Sequence, residues 1–305
     1  MPLKEKKLSQ ERSYFVVKDN ALITKSRYSL TLQQQKILLY FISRIKPDDE
    51  EHTMYELSIK EFAKVCGYVE DSGYYYQAIK QDIKELRDVS SWIEIEPGKE
   101  VLFSWIDRAE IDKKSGTIRV SFHYTVAQYL FDLRERYTQY SLYNVLCLSH
   151  KYSIRLYEYL FSLQYRHTFE VSIEELKKRI DAENYTKFSH FNDRVLKPSI
   201  EEIDAYTDLD VEYNFRKTGR QITHIIFTYH EKSSMSSAIT HRLQEKKIDP
   251  ESRKRTKQVM KQIEERRAQH KRDAEAFERE EKARAEAVET TGQVSWQITF
   301  DDLQF

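Results

Sequence analysis

Two short stretches of this chain are nearly the same: "ELSIKEF" at residues 56–62 and "EVSIEEL" at residues 170–176, an offset of 114. Further on, "IKEL" at 83–86 returns as "IEEI" at 200–203, an offset of 117. The hydrophobic patterns around these stretches recur in the same order. No other feature restricts the fold as much. A period of about 115 residues is far longer than a solenoid unit of roughly 20–50. It implies two similar domains in tandem, which suits a chain of 305 residues.

In each copy helical patterns precede strand patterns. The first copy opens with "SLTLQQQKILLYFISRIKPDD". Thr31 and Gln34 are spaced as a capping box, Ile37, Leu38, Phe41, Ile42 and Ile45 share one helical face, and Pro47 is the terminator. "SIKEFAKVCG" starts with a second box, Ser58 and Glu61, and ends at Gly67. "YYYQAIKQDIKELRD" then places Tyr75, Ile79, Ile83 and Leu86 on one face. After it the hydrophobic period falls to that of strands. "WIEIE", "VLFSWID" and "IRVSFHY" read as three strands, turning at Pro97-Gly98 and at "DKKSG" (112–116). In the last of them Ile118, Val120, Phe122 and Tyr124 alternate with Arg119, Ser121 and His123, the pattern of a half-buried antiparallel strand.

The second copy follows suit. "LSHKYSIRLYEYLFSLQ" is an aromatic-rich helix, "VSIEELKKRID" repeats the box with Ser172 and Glu175, and "FSHFNDRVLKPSIEEI" is a third helix. "DVEYNFRKTGRQITHIIFTYHEK" is a hairpin turning at Thr218-Gly219. Between the copies, "TVAQYLFDLRERYTQY" reads as a linking helix. Three helices followed by a hairpin is the order of a winged helix-turn-helix. The expected fold is α+β: a polar leader (1–19), winged-helix domains at 20–125 and 126–233, and a charged C-terminal tail (234–305), helical or disordered.

Composition removes other classes. The chain is 40% hydrophobic and 33% charged, and it holds only 6 Gly and 5 Pro, which favours regular elements over loops. No apolar run approaches the roughly 18 residues of a membrane span, and the N-terminus lacks the apolar core of a signal peptide. Cys66 and Cys147 stand alone, without CxxC spacing, and read as reduced core residues of a cytoplasmic protein with no metal site. The formal net charge is zero. That total hides a segment, 242–272, with twelve Lys/Arg against five Asp/Glu, followed by an acidic one, 273–289, with three against seven. The region has little to bury, which is why a solvated helix or disorder is expected.

The third helix of the second copy is the most informative. On a helical wheel Phe188, Phe191 and Val195 fall within about 60° of one another and face a core. Lys187, His190, Arg194 and Lys197 fall within about 80° of one another on the other side. Pro198 removes a backbone donor and is expected to kink the helix, after which Leu196, Ile200 and Ile203 resume the apolar register. Arg194 is the candidate for a bidentate contact to guanine, with Lys187, His190 and Lys197 reaching bases or phosphates. A solvated basic face on an ordinary surface helix is the plain alternative. Two neighbours favour DNA: Arg216, Lys217 and Arg220 crowd the adjacent hairpin tip, and the first copy repeats the layout. There Lys80, Lys84 and Arg87 lie on the outer side of the third helix, and Lys113 and Lys114 lie at a turn. Asp82 and Glu85 on that first-copy helix leave a protein-contact role open as well. Arg155 is a further candidate for a phosphate.

"NALITKSRYSLTLQQQKILLYFISRIKP" (20–47), "KYSIRLYEYL" (151–160) and "FNDRVLKPSIEEI" (191–203) resemble the signature segments of iteron-binding plasmid replication initiators, the theta-type Rep proteins. The resemblance covers about residues 15–232. It implies two winged-helix domains, monomers bound to directly repeated sites at an origin, and dimers that repress the rep gene. It also implies main base contacts from the second domain, with the motif arginine at Arg194, and dimerisation plus further DNA contact from the first.

Enzyme chemistry has no support: there is no GxxxxGK[ST] loop, and the nine His never fall in the spacing of a nicking enzyme's metal pair. The expected partners are double-stranded origin DNA and a second copy of the chain, with no cofactor, no metal and no membrane. The C-terminal "ITFDDLQF" is a candidate to dock host replication proteins, or else folds back or stays free. A winged-helix transcriptional repressor without initiation activity is the alternative function, and a scaffolding protein the third.

Overall fold

The computed structural model of the protein describes residues 15–46, 48–60, 62, 73–133 and 135–232. Pro47, Glu61, Cys66, Gly67, the leader as far as residue 14, and the tail from residue 233 lie outside the described residues. The two copies belong to one compact unit.

In the first copy α2 (Leu32–Ile42) is capped by Thr31. Its hydroxyl accepts from the Gln34 amide at 3.2 Å, and the Gln34 side chain accepts from the Thr31 amide at 3.0 Å, the reciprocal box the sequence implied. Ile37, Leu38, Phe41, Ile42 and Ile45 are all buried. Strand β3 (Tyr55–Ser58) leads into helical residues 59–60 and 62, and α3 (Gly73–Asp88) buries Ile79, Ile83 and Leu86. Strands β6 (Ile106–Asp112) and β7 (Thr117–Phe122) form the wing, in a sheet of order β3-β7-β6.

The second copy reproduces this plan. Helix α6 (Lys151–Ser162), strand β9 (Thr168–Ser172), α7 (Ile173–Arg179) and a third helix, α8 (188–206), precede the hairpin of β10 (Leu209–Thr218) and β11 (Gln221–Glu231). The sheet order is β9-β11-β10, the same as in the first copy. The repeated sequence positions are the repeated core. Leu57 and Val171, Phe62 and Leu176, Ile83 and Ile200, and Leu86 and Ile203 are buried in both. Each such side chain contributes roughly 1.5–3 kcal/mol of burial, so the repeat marks where stability is concentrated. Gly116 and Gly219 sit at the two wing tips with φ of +67° and +61°, a conformation that a Cβ disfavours.

The first copy carries more than the pattern showed. The stretch read as one strand, "VLFSWID", breaks at Trp105 into two: β5 (Lys99–Ser104) and β6. Strand β5 pairs with β4 (Ser90–Glu96), and β4 pairs with β2 (Ser26–Arg27), so an extra hairpin stands between α3 and the wing. Trp105 is fully buried, and burying its ring turns the chain away from the β4–β5 sheet. Tyr124, expected on the inner face with Phe122, is instead exposed, because the strand ends first and Tyr124 opens α4 (Tyr124–Ala127).

The expected linking helix over 125–140 is not formed. Asp132 and Arg136 take positive φ, which a helix does not tolerate, and the chain becomes strand β8 (Tyr137–Ser141). That strand pairs antiparallel with β1 (Phe15–Asp19), from Phe15↔Ser141 to Asp19↔Tyr137. Helices α1 (Asn20–Thr24) and α5 (Leu142–Cys147) flank this small sheet, and the partly buried Cys147 lies at the end of α5.

The expectation that Arg155 reaches a phosphate is overturned. Its side chain is 3% exposed on α6. The guanidinium donates to the Tyr28 hydroxyl, to the Arg179 carbonyl at 2.9 Å and to the Ser26 carbonyl at 3.4 Å, and lies 4.0 Å from the Tyr28 ring centre. Glu158, equally buried, pairs with Lys18 and accepts from the Tyr140 hydroxyl. This buried polar network joins the N-terminal segment to α6 and α7. A charged group survives there only because it is paired and hydrogen-bonded.

Candidate nucleic-acid interface

The stripe that the sequence drew along α8 is a surface in the folded chain. Lys187, His190, Arg194 and Lys197 are all exposed, while Phe191, Val195, Leu196, Ile200 and Ile203 are buried. The interruption expected at Pro198 takes a specific form. Residues Phe188–Phe191 are α-helical, Asn192–Leu196 make a π-turn, and Lys197–Tyr206 resume the α-helix. The Lys197 amide bonds back to the Asn192 carbonyl, five residues away. A proline has no amide to offer, and its ring crowds the carbonyl four residues earlier, so the wider turn relieves both problems. The extra residue in the turn also explains how the consecutive Val195 and Leu196 are both inside. It brings Asn192, Asp193 and Arg194 to the outer side of the turn, where Asn192 donates to the Asp193 carboxylate at 3.1 Å.

Helix α8 is held from several sides. The Lys177 ammonium lies 5.5 Å from the centre of the Phe191 ring beneath it. Phe188 meets Phe215 of the wing edge-on, with ring centres 5.1 Å apart, and Phe215 meets Tyr213 at 5.4 Å. This aromatic file fixes the wing relative to the start of the helix, and the pattern of alternation did not reveal it. Farther along, Glu202 accepts from the Ser149 amide at 3.0 Å, from the His150 amide at 3.2 Å and from the His150 ring at 3.1 Å. Burial alone would raise the Glu202 carboxyl. The nearby Ser153 hydroxyl and hydrogen bonds from the His150 ring and the Ser149 amide outweigh it and hold the group below its ordinary value.

The wing tip supplies its charge unevenly. Arg216, Lys217 and Arg220 are exposed, but Arg216 is paired with Glu170 of β9, so Lys217 and Arg220 are the tip's cations with no carboxylate partner among the described residues. On α8, Lys197 stands 4.0 Å from Glu201, an exposed pair of small energetic weight. Lys187, His190 and Arg194 have no carboxylate partner among the described residues.

In the first copy Lys80, Lys84 and Arg87 are exposed on α3, and Lys113 and Lys114 are exposed at the tip of the β6–β7 wing. Arg87 pairs loosely with Asp88 at 3.8 Å. The acids on α3 turn toward α2: Glu85 accepts from Gln34 at 2.6 Å, and Asp82 is pushed up to about 6 by burial and by Glu85. Asp82 and Glu85 thus turn away from the cationic face of α3, whereas Asp88 stays beside Arg87 on the exposed side. Asp112 accepts from the Lys114 amide and the Ser115 hydroxyl, both at 2.8 Å, which shapes the tip.

Two winged helices with exposed basic faces match two known families in order. Residues 15–161 match the WH1 domain of initiator replication proteins, and residues 172–229 match the WH2 domain of initiator Rep proteins, together more than half of the chain. The chain belongs to the initiator Rep protein family. Its winged-helix pair is this family's architecture. Among curated relatives, a replication initiation protein of Escherichia coli is 27% identical over 212 residues. The match covers 66% of this Rep chain and 65% of that relative, a little under two thirds of its length. An uncharacterized 27.6 kDa protein of Escherichia coli is 23% identical over 229 residues, covering 69% and 93%. Among solved structures, domains 2–3 of RctB superpose with a TM-score of 0.37 at 12% identity, covering 65% of this Rep chain and 80% of that one. Among the described residues no helix is long and apolar enough to cross a membrane, and no group of three or more His, Cys, Asp or Glu is arranged to hold a metal.

Proposed function

We propose that this chain initiates replication by binding tandem repeats in double-stranded origin DNA, as a plasmid initiator in the bacterial cytoplasm. The observation that carries the reading is the exposed row of Lys187, His190, Arg194 and Lys197 beside Lys217 and Arg220 of the wing, in a chain of the initiator family. Arg194, on the outer side of the π-turn and with no carboxylate partner among the described residues, reads a guanine edge. Lysines of α8 and of both wing tips hold phosphates and set the register without reading sequence. The first domain adds phosphate contacts through Lys80, Lys84, Arg87, Lys113 and Lys114 and takes part in self-association. As a dimer the chain represses its own gene. It performs no covalent step and needs no cofactor.

Titration of a labelled repeat with wild type and Arg194→Ala tests the central claim. The variant is expected to lose about 1–3 kcal/mol and to relax one base position. Equal affinity of the wild type for the repeat and a scrambled duplex would refute it. A plasmid carrying only the candidate origin and this gene separates the two family roles. Replication supports initiation, whereas specific binding without replication supports a repressor.

A further inference from the structure

The β4–β5 hairpin has no counterpart in the second copy, where α8 passes directly to β10. Its inner face is anchored by Ile93 and Phe103, both fully buried. Its outer face sets Trp92 opposite Leu102, with 49% and 46% of their surfaces exposed, and beside them Glu94 opposite Glu100, while the exposed Arg27 of β2 stands across from Trp92 at the face's other edge. Like charges directly across a sheet destabilise it, so this face does not serve the hairpin's own folding. The carboxylates repel a phosphate backbone, so the face is not a DNA contact. Glu94 accepts from the Gly98 amide at 3.1 Å, and Glu100 has no partner among the described residues.

A second unexplained feature has the opposite character. At the turn after α6, Tyr165 is 58% exposed. The Arg166 Nε donates to its hydroxyl at 3.0 Å, and the guanidinium stands 5.4 Å from its ring centre. Arg166 has no carboxylate partner among the described residues. Tyrosine and arginine are the residues most often found at the energetic centre of protein interfaces. This turn lies at the end of the sheet away from the wing tip. The ladder of β9 with β11 runs from Thr168↔Thr228 to Ser172↔His224, whereas the tip is at Gln221. Seven residues of strand separate Thr228 from that tip, roughly 23 Å at 3.3 Å per residue. DNA held by the wing leaves the turn uncovered.

We propose that neighbouring copies on tandem repeats join head to tail, with the Trp92–Leu102 and Glu94–Glu100 face of one copy seated on Tyr165 and Arg166 of the next. The proposal rests on the tandem-repeat reading above. Direct repeats place successive copies in the same orientation, so any contact between them is heterologous and needs two different, complementary patches. One patch here sets an apolar pair beside two facing carboxylates, with Arg27 at its far edge, and the other is aromatic and basic. A two-fold pairing of the hairpin face with itself would instead bring four carboxylates together. The contact makes binding to adjacent repeats cooperative and sensitive to their spacing.

A charge swap on the full-length chain tests this, with binding measured on duplexes carrying one repeat and two repeats. Wild type is expected to bind the second repeat more tightly than the first, an advantage lost when half a helical turn is inserted between the repeats. Glu100→Lys and Arg166→Glu are each expected to lower that advantage about tenfold, equivalent to about 1.4 kcal/mol, with single-repeat affinity unchanged. The combined Glu100→Lys/Arg166→Glu chain is expected to recover it. Leu102→Ser should also lower it, which guards against a purely long-range charge effect. Absence of cooperativity in the wild type overturns the proposal, as does failure of the combined chain to recover while its circular dichroism is native. If the single changes weaken a dimer in solution and leave cooperativity intact, the face belongs to a two-fold interface and the proposal fails. Failure of the wild type to distinguish a single repeat from a scrambled duplex would instead sink the tandem-repeat reading beneath it.

Discussion

The contact most exposed to a quantitative test is the one from Glu202 to the start of α6. Glu202 sits on α8, and its side chain is 11% exposed. It accepts from the amides of Ser149 and His150 at the N-terminal end of α6, where the capping residue, His150, makes no side-chain hydrogen bond to the helix's own amides. A carboxylate held by amides is worth about 1.5–3 kcal/mol, and a negative charge near a helix N-terminus about 0.3–1 kcal/mol. Glu202→Gln keeps one acceptor oxygen and loses the charge, so it should cost about 1 kcal/mol at pH 7. Glu202→Ala loses both and should cost about 2–3 kcal/mol. The pH dependence gives a second, independent handle. The folded carboxyl lies below its ordinary value of 4.5, so its contribution is complete above that pH and is lost as pH falls through the folded value. Glutamine does not titrate. The stability gap between wild type and Glu202→Gln should therefore be constant from pH 7 to about pH 5 and shrink below it. Urea unfolding followed by circular dichroism at a series of pH values measures this. A gap that persists unchanged at pH 3.5, or that is absent at pH 7, would refute the assignment of the carboxylate as an ionised cap.

Arg155→Ala should cost about 3–5 kcal/mol in thermal unfolding, because it strands buried partners. Below its melting temperature it should leave the salt dependence of DNA binding unchanged, since no phosphate contact is lost. Phe215→Ala removes an edge-on pair worth about 0.5–1.5 kcal/mol and frees the wing from α8. Specific binding should weaken more than non-specific binding, as read by competition with scrambled DNA. Asp204 is pushed up to about 6 from 3.8, chiefly by burial, against a hydrogen bond from the Val211 amide that lowers it. A raised carboxyl favours the folded state when protonated, so stability should fall as pH climbs from about 4 to 6. Asp204→Asn should flatten that stretch of the unfolding profile.

The sequence alone determined the local and the periodic parts of this protein. The capping box of Thr31 and Gln34, the buried faces of α2, α3 and α8, both wings and the exposed basic stripe follow from residue type and spacing. Local hydrogen bonds and an amphipathic period act within a few residues and leave their mark there. The internal repeat extended this to the architecture, because two copies with one pattern bury the same positions. What a pattern could not decide was set by contacts distant in the chain. Arg155 looks like any surface cation until Tyr28 and Arg179 enclose it. Residues 125–140 look helical until β8 finds β1, more than a hundred positions away. Pro198 announced an interruption, yet that it takes the form of a π-turn, which buries both Val195 and Leu196 and sets the placement of Arg194, is seen only in the folded chain. The hairpin of β4 and β5 shows the same limit. Alternation marked its strands, but only packing around Trp105 divided them and left Trp92 and Leu102 on the surface, because burial is settled by what covers a residue and not by the residue itself.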